Sequence, residues 1–337
     1  MKLFGSRTMR WINRTALCAI ALGVWLMFCL MSTSVSPSEA FPNDKTQHRI
    51  AVVVSRDLDP YHQAVAGFRE ALSVRKVTAS ISSYNLDEGS SGGSRLRETI
   101  FTGPWDLILC VGSEAARFVQ TSATKTPAVF CVVSDPEGQG IMTPEGAETN
   151  LVGVTTDIPP SVQFRKLREA LPDVKKVGAV FDEQASSALV DEAAVEANSQ
   201  GLELVAIPVK SQADVPGAFS QLKNRVDALW AIPDPTVYSS ESARFILTFA
   251  LGKKLPFMAY SPQYVKAGAL FGLSPDYADL GRQAGEIAAD IVGTGVLPTP
   301  RLVHPRKYVL SVNVRVMKVI GCQLPYYFLN AADIVFE

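Results

Sequence analysis

Histidine is scarce in this 337-residue chain: His48, His62 and His304 are its three, and they fall in separate segments. So scattered a set offers neither a metal site nor a triad base. The sequence has no HExxH, no CxxC pair and no P-loop, which removes the chemistries those motifs carry. Nothing calls for a cofactor or a metal. Basic residues do not cluster and the formal net charge is −1, so nucleic acid is an unsuitable partner. Cysteines number five, two of them (Cys18 and Cys29) within the first forty residues. Cys110 and Cys131 lie inside apolar runs, where a thiol packs as a small hydrophobe, and with Cys322 they have no spacing that suggests a disulfide framework.

The first forty residues form a separate object. Lys2, Arg7, Arg10 and Arg14 make a basic n-region, Thr15 to Met31 an apolar h-region, and Ser38-Glu39-Ala40 a small-residue cleavage site. The expectation is a signal peptide over 1–40 and an exported, periplasmic protein starting at Phe41. The alternative is an uncleaved anchor through residues 15–31, at the short edge of a spanning helix. The chain from Phe41 holds 28 basic and 32 acidic residues, net −4.

What is present is organised around T-P-A-V-F-C-V-V-S-D-P-E-G-Q-G, Thr126 to Gly140. The apolar run Ala128–Val133 reads as a strand buried on both faces of a parallel sheet. Asp135-Pro136 ends it, since proline donates no ladder bond and restricts its predecessor. About a hundred residues on, V-D-A-L-W-A-I-P-D-P repeats the pattern and ends at Asp234-Pro235. Two buried strands, each ending in an acidic turn at its carboxyl end, suggest two sheets whose ligand edges face one cleft.

The rest alternates strand and helix. Strands are expected at 50–54, 78–84 (near an edge), 106–111, 128–133, 151–154, 176–181, 202–208, 226–232, 256–260, 269–273 and 308–312. Helices are expected from about Tyr61, then at 114–120, 161–171, before Gly201, at 214–224, at 239–251, over Leu280–Ile291 closed by Gly293, and after Asn313 as N-cap. Residues 87–94, D-E-G-S-S-G-G-S, read as a flexible loop without the lysine of a phosphate cradle. The alternation argues for α/β architecture with two doubly wound parallel-sheet lobes. The N-terminal lobe is expected over 41–156 plus about 275–300, and the C-terminal lobe over 157–274. Residues 301–337 form a crossover and tail shared between them, with hinges near Asp157-Ile-Pro-Pro and Leu273–Asp276.

The candidate site is a set of loops at strand ends. Ser55, Asp59, Tyr61, Ser113, Ser134 and Asp135 come from the first half, and Asp182, Ser187, Asp234 and Tyr260 from the second. Carboxylates orient an ammonium, free N–H groups at a helix start orient a carboxylate, and tyrosines stack on apolar groups. Such an inventory suits holding a small polar, amino-acid-like molecule and lacks a nucleophile–base pair. Each residue also has a local alternative: Asp135 and Asp234 as turn caps, Ser113 as a helix cap, Tyr61 and Tyr260 as cleft wall. Trp230, within its strand, reads as core.

V-G-S-E-A-A-R, T-P-A-V-F-C-V-V-S-D-P and N-L-V-G-V-T, followed by L-P-D-V-K-K-V-G-A-V-F, D-A-L-W-A-I-P-D-P, L-P-F-M-A-Y, Y-A-D-L-G-R-Q-A-G and L-S-V-N-V-R-V-M-K-V-I-G-C-Q-L-P, come in a telling order. Together they resemble the substrate-binding proteins of ABC importers in the aromatic-amino-acid (TrpX-like) family, from about Arg49 to the C-terminus. The resemblance implies a type I periplasmic-binding-protein fold with about three crossovers, closing on a small-molecule ligand and delivering it to an ABC permease. It places Ser113 and Asp135 on the first lobe's ligand edge and Asp182, Ser187 and Asp234 on the second's. The chain departs from the family at D-E-Q-A-S-S after Phe181 and at Asp234-Pro235, both in the ligand rim. A membrane-anchored sensor domain of the same fold is the alternative function, and an α/β enzyme the most distant one.

Overall fold

The computed structural model describes residues 47–87, 93–121, 124–142 and 149–337. The leader over 1–40 and its candidate anchor, residues 15–31, lie outside the described residues. Among the described residues no helix is long and apolar enough to cross a membrane.

In the first lobe β1 (His48–Val54), β2 (Ala79–Asn85), β3 (Leu107–Val111), β4 (Ala128–Val133), β5 (Leu151–Thr155) and β11 (Leu302–Val303) form one sheet in the order β11-β5-β4-β3-β1-β2. Every neighbouring pair is parallel. Side chains alternate across it as the two-residue period of a strand requires. Ile50, Val52, Val129 and Cys131 pack on one face, and Ala51, Val53, Cys110 and Phe130 on the other. Helix α1 (Asp59–Val74) covers the first of these faces, while α2 (Gly93–Thr102) and α3 (Ser113–Gln120) cover the second. The residues read as a loop over 87–94 thus give way to α2 from Gly93, whose few apolar positions hid it.

In the second lobe β6 (Lys176–Asp182), β7 (Glu203–Val209), β8 (Ala228–Trp230), β9 (Phe257–Ala259), β10 (Phe271–Pro275), β12 (Tyr308–Asn313) and β13 (Ile334–Phe336) run in the order β13-β12-β10-β9-β8-β6-β7. Only the β10–β12 pair is antiparallel. Helices α4 (Pro160–Ala170), α5 (Ser187–Ser199), α6 (Val215–Leu222), α7 (Ser240–Gly252) and α8 (Pro262–Ala267) build this lobe, with α10 (Val314–Ile320) and α11 (Tyr326–Asn330) near its end. One apolar core unites it, and Trp230 lies inside at 1% exposure. Asn313 does cap α10, its side chain accepting from the Val316 N–H. The six-residue α8 was too short to show a helical period.

Helix α9 (Tyr277–Thr294) returns from β10 to the first lobe and lies against α1 at backbone contact. A Cβ on Gly281 would sit 1.8 Å from the Ala64 carbonyl oxygen, and one on Gly67 1.9 Å from that of Ala278. Its C-terminus falls at Gly295, with φ +72°, rather than at Gly293, because the left-handed residue that frees the last carbonyls is Gly295. The chain therefore passes between sheets three times: after β5, after β10 and between β11 and β12.

A charged knot fastens the last two passages. Asp279 is 1% exposed, and Arg306 Nε donates to its Oδ2 at 2.9 Å and Arg282 Nε to its Oδ1 at 3.1 Å. Burial pushes the Asp279 carboxyl up, but the bonds from Arg306 and Arg282 outweigh it and hold it below the usual carboxylate range. An acid so depressed adds stability above its ordinary pKa, and that contribution disappears as pH falls through the lowered value. Arg306→Gln should cost roughly 2 kcal/mol at pH 7, discounted because the guanidinium is partly exposed. The deficit should shrink below about pH 4 in urea titrations run across pH; a deficit constant from pH 7 to 3 would contradict this.

Candidate functional site

The strand orders carry the same reversal twice. In the first lobe β2-β1-β3-β4-β5 turns back between β1 and β3, and in the second β7-β6-β8-β9-β10 turns back between β6 and β8. In such sheets ligands bind outside the carboxyl ends of the strands at this reversal, where two loops diverge. Most of the candidate site residues lie at these two places.

At the first reversal the Ser55 N–H donates to the Val111 carbonyl at 2.9 Å, and the Ser55 hydroxyl accepts from the Ala115 N–H at 2.9 Å. Ser55 is 1% exposed and holds the start of α3. Gly112 lies between them at φ +94°, where a Cβ would come within 2.5 Å of Ser55 Oγ and 2.9 Å of the Tyr61 hydroxyl. The two loops touch there and leave room for glycine alone. Ser113 and Tyr61 are half-buried beside it, and Asp59 is exposed at the first turn of α1. Burial raises the Tyr61 phenol, so it stays a neutral donor. Gly112→Ala should cost roughly 2–3 kcal/mol and move the Tyr61 ring; an unchanged thermal midpoint would show the contact to be soft.

The central strand ends under strain. Val132 has φ +58° at a shift of register between β4 and β5, and Asp135 has φ +42°. A β-branched residue at positive φ is a genuine outlier, and such strain gathers at functional loops. Asp135 is exposed, and its Oδ1 accepts from the Gly138 N–H at 2.9 Å. Its own N–H donates to Asp157 Oδ2 at 2.7 Å, and the Ser134 hydroxyl donates to Asp157 Oδ1 at 2.9 Å.

At the second reversal Asp234 is 1% exposed, and its carboxylate accepts four hydrogen bonds. The Asp182 N–H and Ser186 hydroxyl bind Oδ2 at 2.7 and 2.8 Å, and the Thr236 and Val237 N–H groups bind Oδ1 at 3.0 and 3.1 Å. Asp182 is half-buried and accepts from the Thr236 hydroxyl at 2.7 Å, which with the Gln184 N–H holds its carboxyl below the ordinary range. Ser187 is exposed at the start of α5; its neighbour Ser186 supplies the buried hydroxyl. Tyr260 meets Tyr238 edge-on with centroids 5.7 Å apart and Tyr264 at 5.1 Å, and the Tyr264 hydroxyl donates to the Tyr238 carbonyl. Burial pushes the Tyr260 and Tyr238 phenols far up.

Each lobe thus gathers its own residues: Ser55, Tyr61 and Ser113 with Gly112, Ser134 and Asp135 with Asp157, Asp182 and Asp234 with Ser186 and Thr236, and Tyr260 with Tyr238 and Tyr264. The sequence points to the loops that hold Gly112 and Ser186 and gives Asp157 only as part of a hinge, and it leaves Thr236, Tyr238 and Tyr264 out. A usable signal existed for two of them, the Tyr260-Ser-Pro-Gln-Tyr264 spacing and the Thr155-Thr-Asp157 polar pair after a buried strand. Burial raises the Cys131 thiol to about 12 and Cys110 further, so both remain protonated and unreactive. Among the described residues no group of histidine, cysteine and acidic side chains could hold a metal ion.

The sequence profile of the family described as ABC transporter substrate binding protein matches residues 49–335. A tyrosine-binding protein of Clostridioides difficile (strain R20291) is 25% identical over 190 residues, 56% of this chain and 54% of that protein. The chain thus spans about half the length of that curated relative. A ligand-free, open substrate-binding protein with adhesive properties from Clostridium difficile superposes with a TM-score of 0.70 at 20% identity, covering 86% of this chain and 99% of that one. A domain from Streptococcus pneumonia in complex with L-Trp gives 0.60 at 20% identity, covering 85% and 100%. At these identities the structural likeness establishes the fold.

Proposed function

Since the chain belongs to the ABC transporter substrate-binding protein family, and is a solute-binding protein rather than an enzyme, we propose that it captures an amino-acid-like ligand between its lobes. The ligand carries an amine and an apolar or aromatic side group, and the loaded protein delivers it to an ABC permease. The observation that carries this reading is the cluster of Tyr238, Tyr260 and Tyr264 at the carboxyl edge of the second lobe. Aromatic faces receive an apolar side group, and the Asp182 and Asp135 carboxylates offer partners for an ammonium. The names of the relatives, a tyrosine-binding protein and an L-Trp complex, support the same class.

A ligand touching both lobes favours their closed arrangement by its differential affinity for it. A thermal-shift screen over amino acids, nucleosides and small organic acids tests the class, since a ligand that binds only the native state raises its stability. An aromatic amino acid at a hundredfold its Kd should add about 2.7 kcal/mol. A shift produced only by nucleosides or organic acids would replace this reading.

We further propose export with cleavage after Ala40. N-terminal sequencing of the exported protein should return Phe41 as the first residue. A start upstream of residue 15 would favour the anchored sensor instead.

A further inference from the structure

We propose that Asp157 is a positioning residue that couples the Ser134–Asp135 loop to the hinge, so that events at the loop move the pivots directly. The proposal rests on the reading of that loop as part of the ligand edge.

Asp157 stands where the first passage leaves the first lobe. Its side chain accepts from the Ser134 hydroxyl, the Asp135 N–H and the Thr155 hydroxyl. Its main-chain carbonyl accepts from His304 Nδ1 at 3.0 Å, on the third passage. A carbonyl can only accept, so Nδ1 carries the proton. One residue further, allegiance changes. The Ile158 carbonyl accepts from Gln163 Nε2 at 2.7 Å, and Gln163 Oε1 accepts from Trp230 Nε1 at 2.7 Å, deep in the second lobe. The clamp to one lobe ends at Asp157 and the clamp to the other begins at Ile158, so the pivot lies in the linkage between them.

The third passage is built alike. Gln283 on α9 donates to the His304 carbonyl and accepts from the Arg306 N–H, and Arg306 binds Asp279. Tyr308 then pairs with Pro275 in the second sheet. Lys307 is the residue between, and its carbonyl accepts from the Asp276 N–H at 3.1 Å, joining the second and third passages. Asp157 therefore contacts the loop through its carboxylate and a second pivot strand through its carbonyl. The loop it holds contains the left-handed Asp135, so a displacement there has a short, bonded route to the hinge.

Hydrogen exchange by mass spectrometry on the full chain, without added ligand, tests this with Asp157→Asn and Ser134→Ala. An asparagine keeps the size but replaces one acceptor oxygen with a donor. We expect about tenfold faster exchange in segment 134–139 and, together with it, in 157–159 and 304–307, with β6 unchanged as the report of an intact fold. Ser134→Ala, which lies outside the passages, should move 304–307 in the same direction. Faster exchange confined to 134–139 in both variants would overturn the coupling. Should Asp157→Asn lose β6 protection, Ser134→Ala decides alone. L-tyrosine and L-tryptophan serve as probes in a parallel arm. Failure of both to bind would defeat the amino-acid reading, while the exchange pattern without ligand still decides the role of Asp157.

Discussion

Alanine at position 281 should cost the protein roughly 3 kcal/mol, although glycine-to-alanine inside a helix is ordinarily favourable by about 1 kcal/mol. The contact decides the sign. The new Cβ would meet the Ala64 carbonyl carbon and oxygen at 2.6 and 1.8 Å, and backbone cannot rotate away as a side chain can. Helix α9 would have to lift from α1, carrying with it Asp276, the Asp279 knot and Tyr277. Gly293→Ala, in the same helix with nothing within 4 Å of its Cβ position, supplies the contrast: there propensity acts alone and stability should rise by up to about 1 kcal/mol. Urea denaturation of the two variants should move in opposite directions. A Gly281→Ala protein as stable as the parent would mean that the two helices are not in backbone contact.

Asp234→Ala should cost roughly 3–5 kcal/mol, because it leaves the N–H groups of Asp182, Thr236 and Val237 and the Ser186 hydroxyl without their acceptor. The loops at the second reversal are tied through this one carboxylate, so under the proposed capture between lobes the variant should also lose most of its ligand affinity. Asp234→Asn separates size from charge. It keeps one acceptor oxygen and presents an NH2 toward donors, so it should recover less than half of the lost stability in guanidinium titrations. Full recovery by the amide would show that a single oxygen suffices.

The buried strands were legible because continuous apolar runs such as Ala128–Val133 and Ile50–Val54 have few other fates. The edge position of β2 showed in the polar pattern of Thr78–Tyr84. Helices α2 and α8 escaped for lack of a periodic apolar stripe. Within the site, the sequence pointed to strand ends but could not distinguish a carboxylate offered to a ligand from one consumed internally. Asp135 and Asp234 read alike as Asp-Pro turns. In the fold one is exposed with a single local bond, and the other is enclosed by four donors. That difference arises from residues fifty positions away, Asp182 and Ser186, which no local pattern contains. The bonds of Asp157 escaped for the same reason: the sequence marks it as part of a hinge, but its partner His304 lies far along the chain.

Calorimetric titration of L-tyrosine and L-tryptophan into the parent protein, Asp135→Ala and Tyr260→Ala tests the central claim most directly. Capture between two lobes predicts one ligand per chain in the parent. It also predicts losses of roughly 1–3 kcal/mol in both variants, one altered in each lobe. Binding weakened by only one of the two substitutions, with the other at parental affinity, would place the ligand on a single lobe and contradict the account.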